Sequence, residues 1–265
     1  MVKKFHQFIS DVNFEMNKVS WPNWEELKGS TYVVLVTTLL MIIFLFLIGI
    51  QVIASAQEPK KRTLSTSPFI GIQVYSGLHL NLIPSEVNKA VVSGPRADAV
   101  ILSMKKGYLQ LRIALGSLTD SLPTKIDLYH SKRLDAVYAY QGTKITSPQA
   151  IKQTSINLKS NSGAVIDLVL FADRLDAQAQ LGGRLKLKGE VTNLNLKVNF
   201  GGSCEAEQLQ TNQTQTKLVG GGYAYILTSD LLEAQVNGGS VLRVFGNPKK
   251  RVYQRKLGGK LYFEE

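Results

Sequence analysis

The stretch Leu194-Asn195-Leu196-Lys197-Val198-Asn199-Phe200-Gly201-Gly202 decides how most of this chain folds. Leu194, Leu196, Val198 and Phe200 alternate with Asn195, Lys197 and Asn199. A period of two puts the apolar set on one face of an extended strand and the polar set on the other, which predicts a half-buried strand. The glycine pair that closes the stretch tolerates backbone angles that side chains forbid, so it marks a corner. Leu185 and Leu187 alternate with Lys186 and Lys188 in the same way. Glycine pairs stand at Gly182-Gly183, Gly201-Gly202, Gly221-Gly222, Gly238-Gly239 and Gly258-Gly259, in steps of 19, 20, 17 and 20 residues. Gly163 and Gly142 continue the series backwards. A corner recurring at that interval predicts an all-β domain of the β-solenoid or β-helix kind, each coil burying its apolar face on the next. An antiparallel β-sandwich is the alternative that short, evenly spaced strands also allow.

Outside this region the pattern changes. The 265 residues are 44% apolar and 19% charged, which excludes wholesale disorder. A single cysteine excludes a disulfide framework and a Cys-rich zinc site, and His6, His79 and His130 are scattered, so no metal site is expected. No charged residue occurs from Gly29 to Gln57, and Tyr32 to Ile53 is almost continuously apolar. Twenty-two helical residues rise about 33 Å, enough to cross a hydrocarbon core of about 30 Å. Tyr32, Leu35, Leu39, Ile43, Phe46, Ile50 and Ile53 are the span positions expected to meet lipid or a partner helix. Ala54-Ser55-Ala56 before Gln57 also resembles a signal cleavage site, but the apolar run is long and a patterned segment precedes it, which favours a retained anchor.

The domains read as a helical membrane segment over 1–57, a polar linker over 58–66 and an exported Gly-rich β domain over 67–265. Residues 1–31 carry four Lys and four Asp/Glu, whereas 58–265 carry 27 basic and 16 acidic residues, so the whole excess of +11 lies beyond the span. Lys18 and Lys28 precede the span and Lys60, Lys61 and Arg62 follow it, so flanking charge does not settle orientation.

Before the span, Phe5, Phe8, Ile9, Val12, Met16 and Val19 recur at three and four residues, the mark of an amphipathic helix beside a bilayer or a partner. Trp21-Pro22 breaks it, because proline removes a donor and disfavours helix in the residue before it. Asn23 with Glu26 forms a capping-box-like start for the next helix, and Trp21 and Trp24 suit the headgroup level. The run Glu15-Met16-Asn17-Lys18-Val19-Ser20-Trp21-Pro22-Asn23-Trp24-Glu25-Glu26-Leu27 resembles the signature of SecE, the small subunit of the SecYEG protein translocon. The resemblance covers about the first 55 residues and rests on Glu15, Lys18, Val19, Trp21, Pro22 and Glu26. It implies a cytoplasmic N-terminus, one helix clamping SecY, SecG-type subunits nearby, and SecA or the ribosome as indirect partners in the bacterial inner membrane. With Trp24, those residues are the expected contact with SecY and the membrane interface.

The rest resembles a second family, the auto-transporter adhesin head GIN domain. Its carriers are Phe69-Ile70-Gly71-Ile72-Gln73-Val74-Tyr75-Ser76-Gly77-Leu78-His79-Leu80-Asn81-Leu82, Lys106-Gly107-Tyr108-Leu109-Gln110-Leu111, Val236-Asn237-Gly238-Gly239-Ser240 and Phe245-Gly246-Asn247-Pro248. The similarity spans most of residues 64–263 and implies an exported domain whose ligand is open.

No catalytic constellation and no cofactor motif emerges, so no enzyme is expected. Gly220-Gly221-Gly222 is not a phosphate loop, since no Lys-Ser/Thr follows. His79 and His130 read as ordinary strand residues, and Cys204 as a small buried group at a corner. Basic groups at Lys60–Arg62, Lys105-Lys106, Lys132-Arg133 and Lys249–Arg251 read as solvated surface, with anionic lipid or acidic glycan as the alternative. Nothing suggests nucleic-acid binding. Two functions remain: a SecE-like translocon subunit that carries an extracytoplasmic β domain, or an envelope adhesin or scaffold that uses the SecE-like segment as a tether.

Overall fold

The computed structural model describes residues 2–20, 23–55, 61–114 and 123–264. The chain divides into two compact units, Met1–Glu58 and Pro59–Glu265.

The first unit is two helices. α1, Val2–Lys18, leaves Phe5, Phe8, Ile9, Val12 and Met16 exposed along one side. Lys18 closes on Glu15 at 2.7 Å and lies 4.4 Å from the Phe14 ring centroid, pairings that neighbouring turns of a helix permit. α2, Trp24–Ser55, is long and apolar enough over Thr31–Ile48 to cross a membrane, with mean hydropathy 2.7 and none of that window buried within the chain. Its few polar side chains look after themselves. The Thr37 hydroxyl donates to the Val33 carbonyl at 2.8 Å and Thr38 donates to Val34, which spares the hydrocarbon an unsatisfied group. Trp21, Pro22, Ala56 and Gln57 lie outside the described residues, and with them the predicted elbow and the cleavage junction.

The second unit is a solenoid, and the sandwich alternative falls away because strands of successive coils pair in parallel. Strand Val165–Gln180 lies between Ile151–Asn161 and Arg184–Asn199, which continues to Ser203–Val219 and Tyr223–Asn237. Val165 faces Arg184 and Arg184 faces Ser203, so one coil takes 19 residues. Parallel register stacks like on like. Ile166, Leu185, Cys204, Ala224 and Leu242 form one wholly buried ladder. Leu158, Ala177, Leu196, Thr216 and Ala234 form another on the second arm of the coil. Burying each large aliphatic side chain contributes about 1.5–3 kcal/mol.

Among the described residues antiparallel pairing is confined to the N-terminal end, where Lys61–Ser65 pairs with Lys89–Ser93, Lys89–Ser93 with Lys125–His130, and Val100–Lys105 with Tyr108–Ile113. The strand Lys61–Ser65 falls inside the stretch read as linker. It is an edge strand whose only inward group is Leu64, so its composition is that of a polar spacer. At the other end, Lys250–Lys256 is exposed throughout, and its Arg251 guanidinium sits 4.1 Å from the Phe263 ring centroid. An edge this basic discourages a further strand from adding to the stack.

The corners are built differently from the simple glycine-pair reading. The residues with left-handed angles at one corner are Phe200 (φ 49°) and Gly201 (φ 72°), one position earlier than the pair. Gly202 has another duty: a Cβ there would come 2.5 Å from the Ala179 carbonyl oxygen, so it is the close approach to the neighbouring coil that excludes a side chain.

Candidate functional site

The predicted span positions Tyr32, Leu35, Leu39, Ile43 and Phe46 all lie on α2 and are exposed; their spacing of three and four makes one stripe. Trp24 opens the same helix and is 78% exposed. Glu15 and Lys18 are joined to each other, and Val19 follows α1, exposed. A shallow depression of about 430 Å³ lined by Phe8, Val12, Glu15, Met16 and Val19 runs along the apolar side of α1. The side chains of Glu26, Ile50 and Ile53 lie outside the described residues, as do Trp21 and Pro22. Such a surface can pack and anchor.

The solenoid presents two outer faces, set by register. On the first, Tyr138, Lys159, Gln178, Lys197, Lys217 and Gln235 stand directly opposite one another on six consecutive strands. On the second, the corresponding row is Thr146, Asp167, Lys186, Glu205, Tyr225 and Arg243. The second row neutralises itself: Lys186 pairs with Glu205 at 3.1 Å, and Arg243 reaches Glu264 at 3.0 Å. The first row does not. Among the described residues Lys159, Lys197 and Lys217 have no ion-pair partner.

Two carboxylates stand beside that first row, and Lys197 adds a weaker electrostatic pull on one of them, Asp176. Asp176 accepts from Arg174 at 2.9 Å and from Asn195 at 2.8 Å, and the Arg174 hydrogen bond holds its carboxyl below the usual range. Glu233 accepts from Gln215 at 3.3 Å. Three adjoining depressions, of about 600, 500 and 350 Å³, share Asn195 and make this face a continuous groove. Tyrosines close its N-terminal end. Tyr75 and Tyr140 stack at 4.8 Å and 9°, Tyr108 and Tyr138 at 6.1 Å, and Lys159 lies 6.0 Å from the Tyr140 ring centroid. Burial, with Tyr75 and Tyr138 nearby, pushes the Tyr140 phenol up to about 12, so it stays a neutral donor.

The remaining candidates are structural. Cys204 is fully buried in its ladder, and burial raises its thiol far from reactivity. His79 is half-buried and lowered first by burial and then by Lys144 and Lys125. His130 Nδ1 donates to the Lys132 carbonyl at 2.9 Å in the tautomer that contact requires, leaving Nε2 buried without a partner. No group of three His, Cys, Asp or Glu that could hold a metal occurs among the described residues. Sequence reasoning missed the groove, because its residues come from seven strands and only register brings them together.

Fold and surfaces together define a β-solenoid joined to a helix of membrane-spanning length. The sequence profile described as "Putative auto-transporter adhesin, head GIN domain" matches residues 68–248, and the chain belongs to that family. The profile of "SecE/Sec61-gamma subunits of protein translocation complex" matches residues 6–52. Among solved structures, a "putative adhesin" from Bacteroides fragilis is similar, with TM-score 0.73 and 18% identity over 79% of this chain and 98% of that one. A "putative adhesin" from Parabacteroides merdae has TM-score 0.62 and 15% identity, with the same coverage of both chains. A "Putative lipid binding protein" from Parabacteroides distasonis has TM-score 0.61 and 15% identity, again covering 79% of this chain and 98% of that one. At these identities the likeness shows the fold alone. No curated protein matches the chain.

Proposed function

We propose that the first 57 residues act as a SecE-type subunit of the Sec translocase and carry the β-solenoid on the extracytoplasmic side of the bacterial inner membrane. The observation that carries this reading is the SecE profile match over 6–52, on helices whose apolar surfaces nothing in their own unit covers. In this reading α1 lies on the cytoplasmic surface. Glu15, Lys18, Val19, Trp21, Pro22, Trp24 and Glu26 make the elbow that meets SecY, and the α2 stripe from Tyr32 to Ile53 packs against it. The contribution is packing: a tilted helix holds the two halves of the channel together while it opens, and SecG, SecA or the ribosome are reached through SecY.

A tagged full-length chain should bring SecY down in stoichiometric amount from detergent extracts. Replacing Trp21 and Pro22 together with alanine should reduce that yield and slow export of a secreted reporter. A second reading is favoured by the adhesin-head profile covering more of the chain than the SecE profile does: the helices then serve only as a tether for an envelope scaffold. Cross-links from Leu39 and Ile43 that reach only lipid, with SecY absent from the eluate, would establish the tether instead.

A further inference from the structure

We propose that the groove on the first solenoid face binds an extended acidic polysaccharide, laid across the coils. Strands in a sheet are about 4.8 Å apart, so the six-strand row from Tyr138 to Gln235 runs for about 24 Å with a side chain on every rung. Three of those side chains are ammonium groups without ion-pair partners, at Lys159, Lys197 and Lys217, with the amide of Gln178 between the first two and that of Gln235 beyond the last. Amides offer a donor and an acceptor to each hydroxyl group, and ammonium groups one and two rungs apart can meet successive carboxylates or sulfates of an extended chain. In the corresponding row of the opposite face Lys186 is paired with Glu205 and Arg243 with Glu264, so that row lacks the run of unpaired ammonium groups.

The groove also discriminates against other polyanions. Tyr75 and Tyr140 stack on each other at 4.8 Å, so each ring spends one face on the other and the pair offers a base less stacking surface than two free rings would. Asp176 and Glu233 flank the lysine row, which suits a ligand of moderate charge density better than a phosphodiester at every unit. Asn, Gln, Lys and Thr line most of the groove, and Val252 and Tyr253 are exposed only at its C-terminal end, so an extended polar chain and not a lipid surface is the fitting occupant.

The test uses the full-length protein in neutral detergent, with polygalacturonate and dextran sulfate as acidic probes and dextran as the neutral one, followed by calorimetry. At least one acidic probe should bind, dextran should bind tenfold or more weakly, and moderate salt should weaken binding. The double change Lys197→Gln with Lys217→Gln should lower affinity at least tenfold. It should leave the unfolding midpoint in place, since Gln178 and Gln235 already occupy this row in other coils. Lys197→Arg should retain most of the affinity, and Lys186→Gln on the opposite face should change nothing. Failure of both acidic probes, equal binding of dextran, or an unchanged affinity in the double variant overturns the proposal. Tighter binding to an oligodeoxythymidylate or to phosphatidylglycerol vesicles overturns it as well. None of these results depends on whether SecY is a partner.

Discussion

α2 and the coil Arg184–Asn199 are both rich in leucine, yet they spend it in opposite ways. In α2 every described apolar side chain points outward and is exposed; in the coil Leu185, Leu187, Leu194, Leu196 and Val198 are all buried. The helix satisfies its backbone internally and can therefore give its whole surface to lipid or to a partner. The coil satisfies its backbone only through the coils on either side, so its apolar face must turn inward and its polar face outward. Where the solvent for apolar surface is external, all-round apolarity is stable; where it is the protein, alternation is required.

The contrast can be broken most sharply by placing charge in each. Leu196→Asp buries a carboxylate in a closed ladder and should cost more than about 4 kcal/mol, enough to lose the cooperative unfolding transition followed by circular dichroism in denaturant. Leu39→Arg should cost about 2.5–3.5 kcal/mol of membrane insertion, read as a shift of the chain out of the carbonate-resistant membrane fraction, while the solenoid keeps its midpoint. Gly202→Ala forces a Cβ against the Ala179 carbonyl and should destabilise the solenoid by about 1–3 kcal/mol without changing membrane partition.

Acid should weaken the solenoid. His130 has its affinity for protons lowered by burial, and His79 by burial and then by Lys144 and Lys125, so the unfolded chain binds more protons than the folded one below the ordinary histidine range. Stability is therefore full at neutral pH and declines as pH falls through the unfolded value near 6.5. A urea midpoint that drops between neutral and mildly acidic pH, and drops less in His130→Gln, is the expected outcome. The smallest effect is a gain. Leu257 is 85% exposed with φ 48°, and Leu257→Asn should raise the melting temperature slightly, by relief worth up to about 1 kcal/mol.

Some of this was legible residue by residue. The Leu194–Gly202 alternation and the glycine spacing announce half-buried strands with regular corners, and the charge-free run from Gly29 announces a span, because both signals are local. Other segments hide their role. Gln213-Thr214-Gln215-Thr216 is polar at every position, yet Thr214 and Thr216 are buried and Gln213 and Gln215 are outside. Thr211 inside this coil bonds Thr214 at 2.7 Å and the Leu227 carbonyl at 2.7 Å, whereas the Thr216 hydroxyl is buried without a partner. Lys61–Ser65 reads as linker because an edge strand needs a single inward side chain.

By itself the sequence determined what each segment could be: periodicity in apolar side chains selects helix or strand, and glycine selects corners, since both depend on near neighbours along the chain. Tertiary structure alone decided which side chains share a surface. Coil register aligned Lys159, Lys197 and Lys217 on one face and brought Lys186 against Glu205 on the other, because parallel strands pair residues some 19 positions apart, a distance over which a linear pattern carries no geometry.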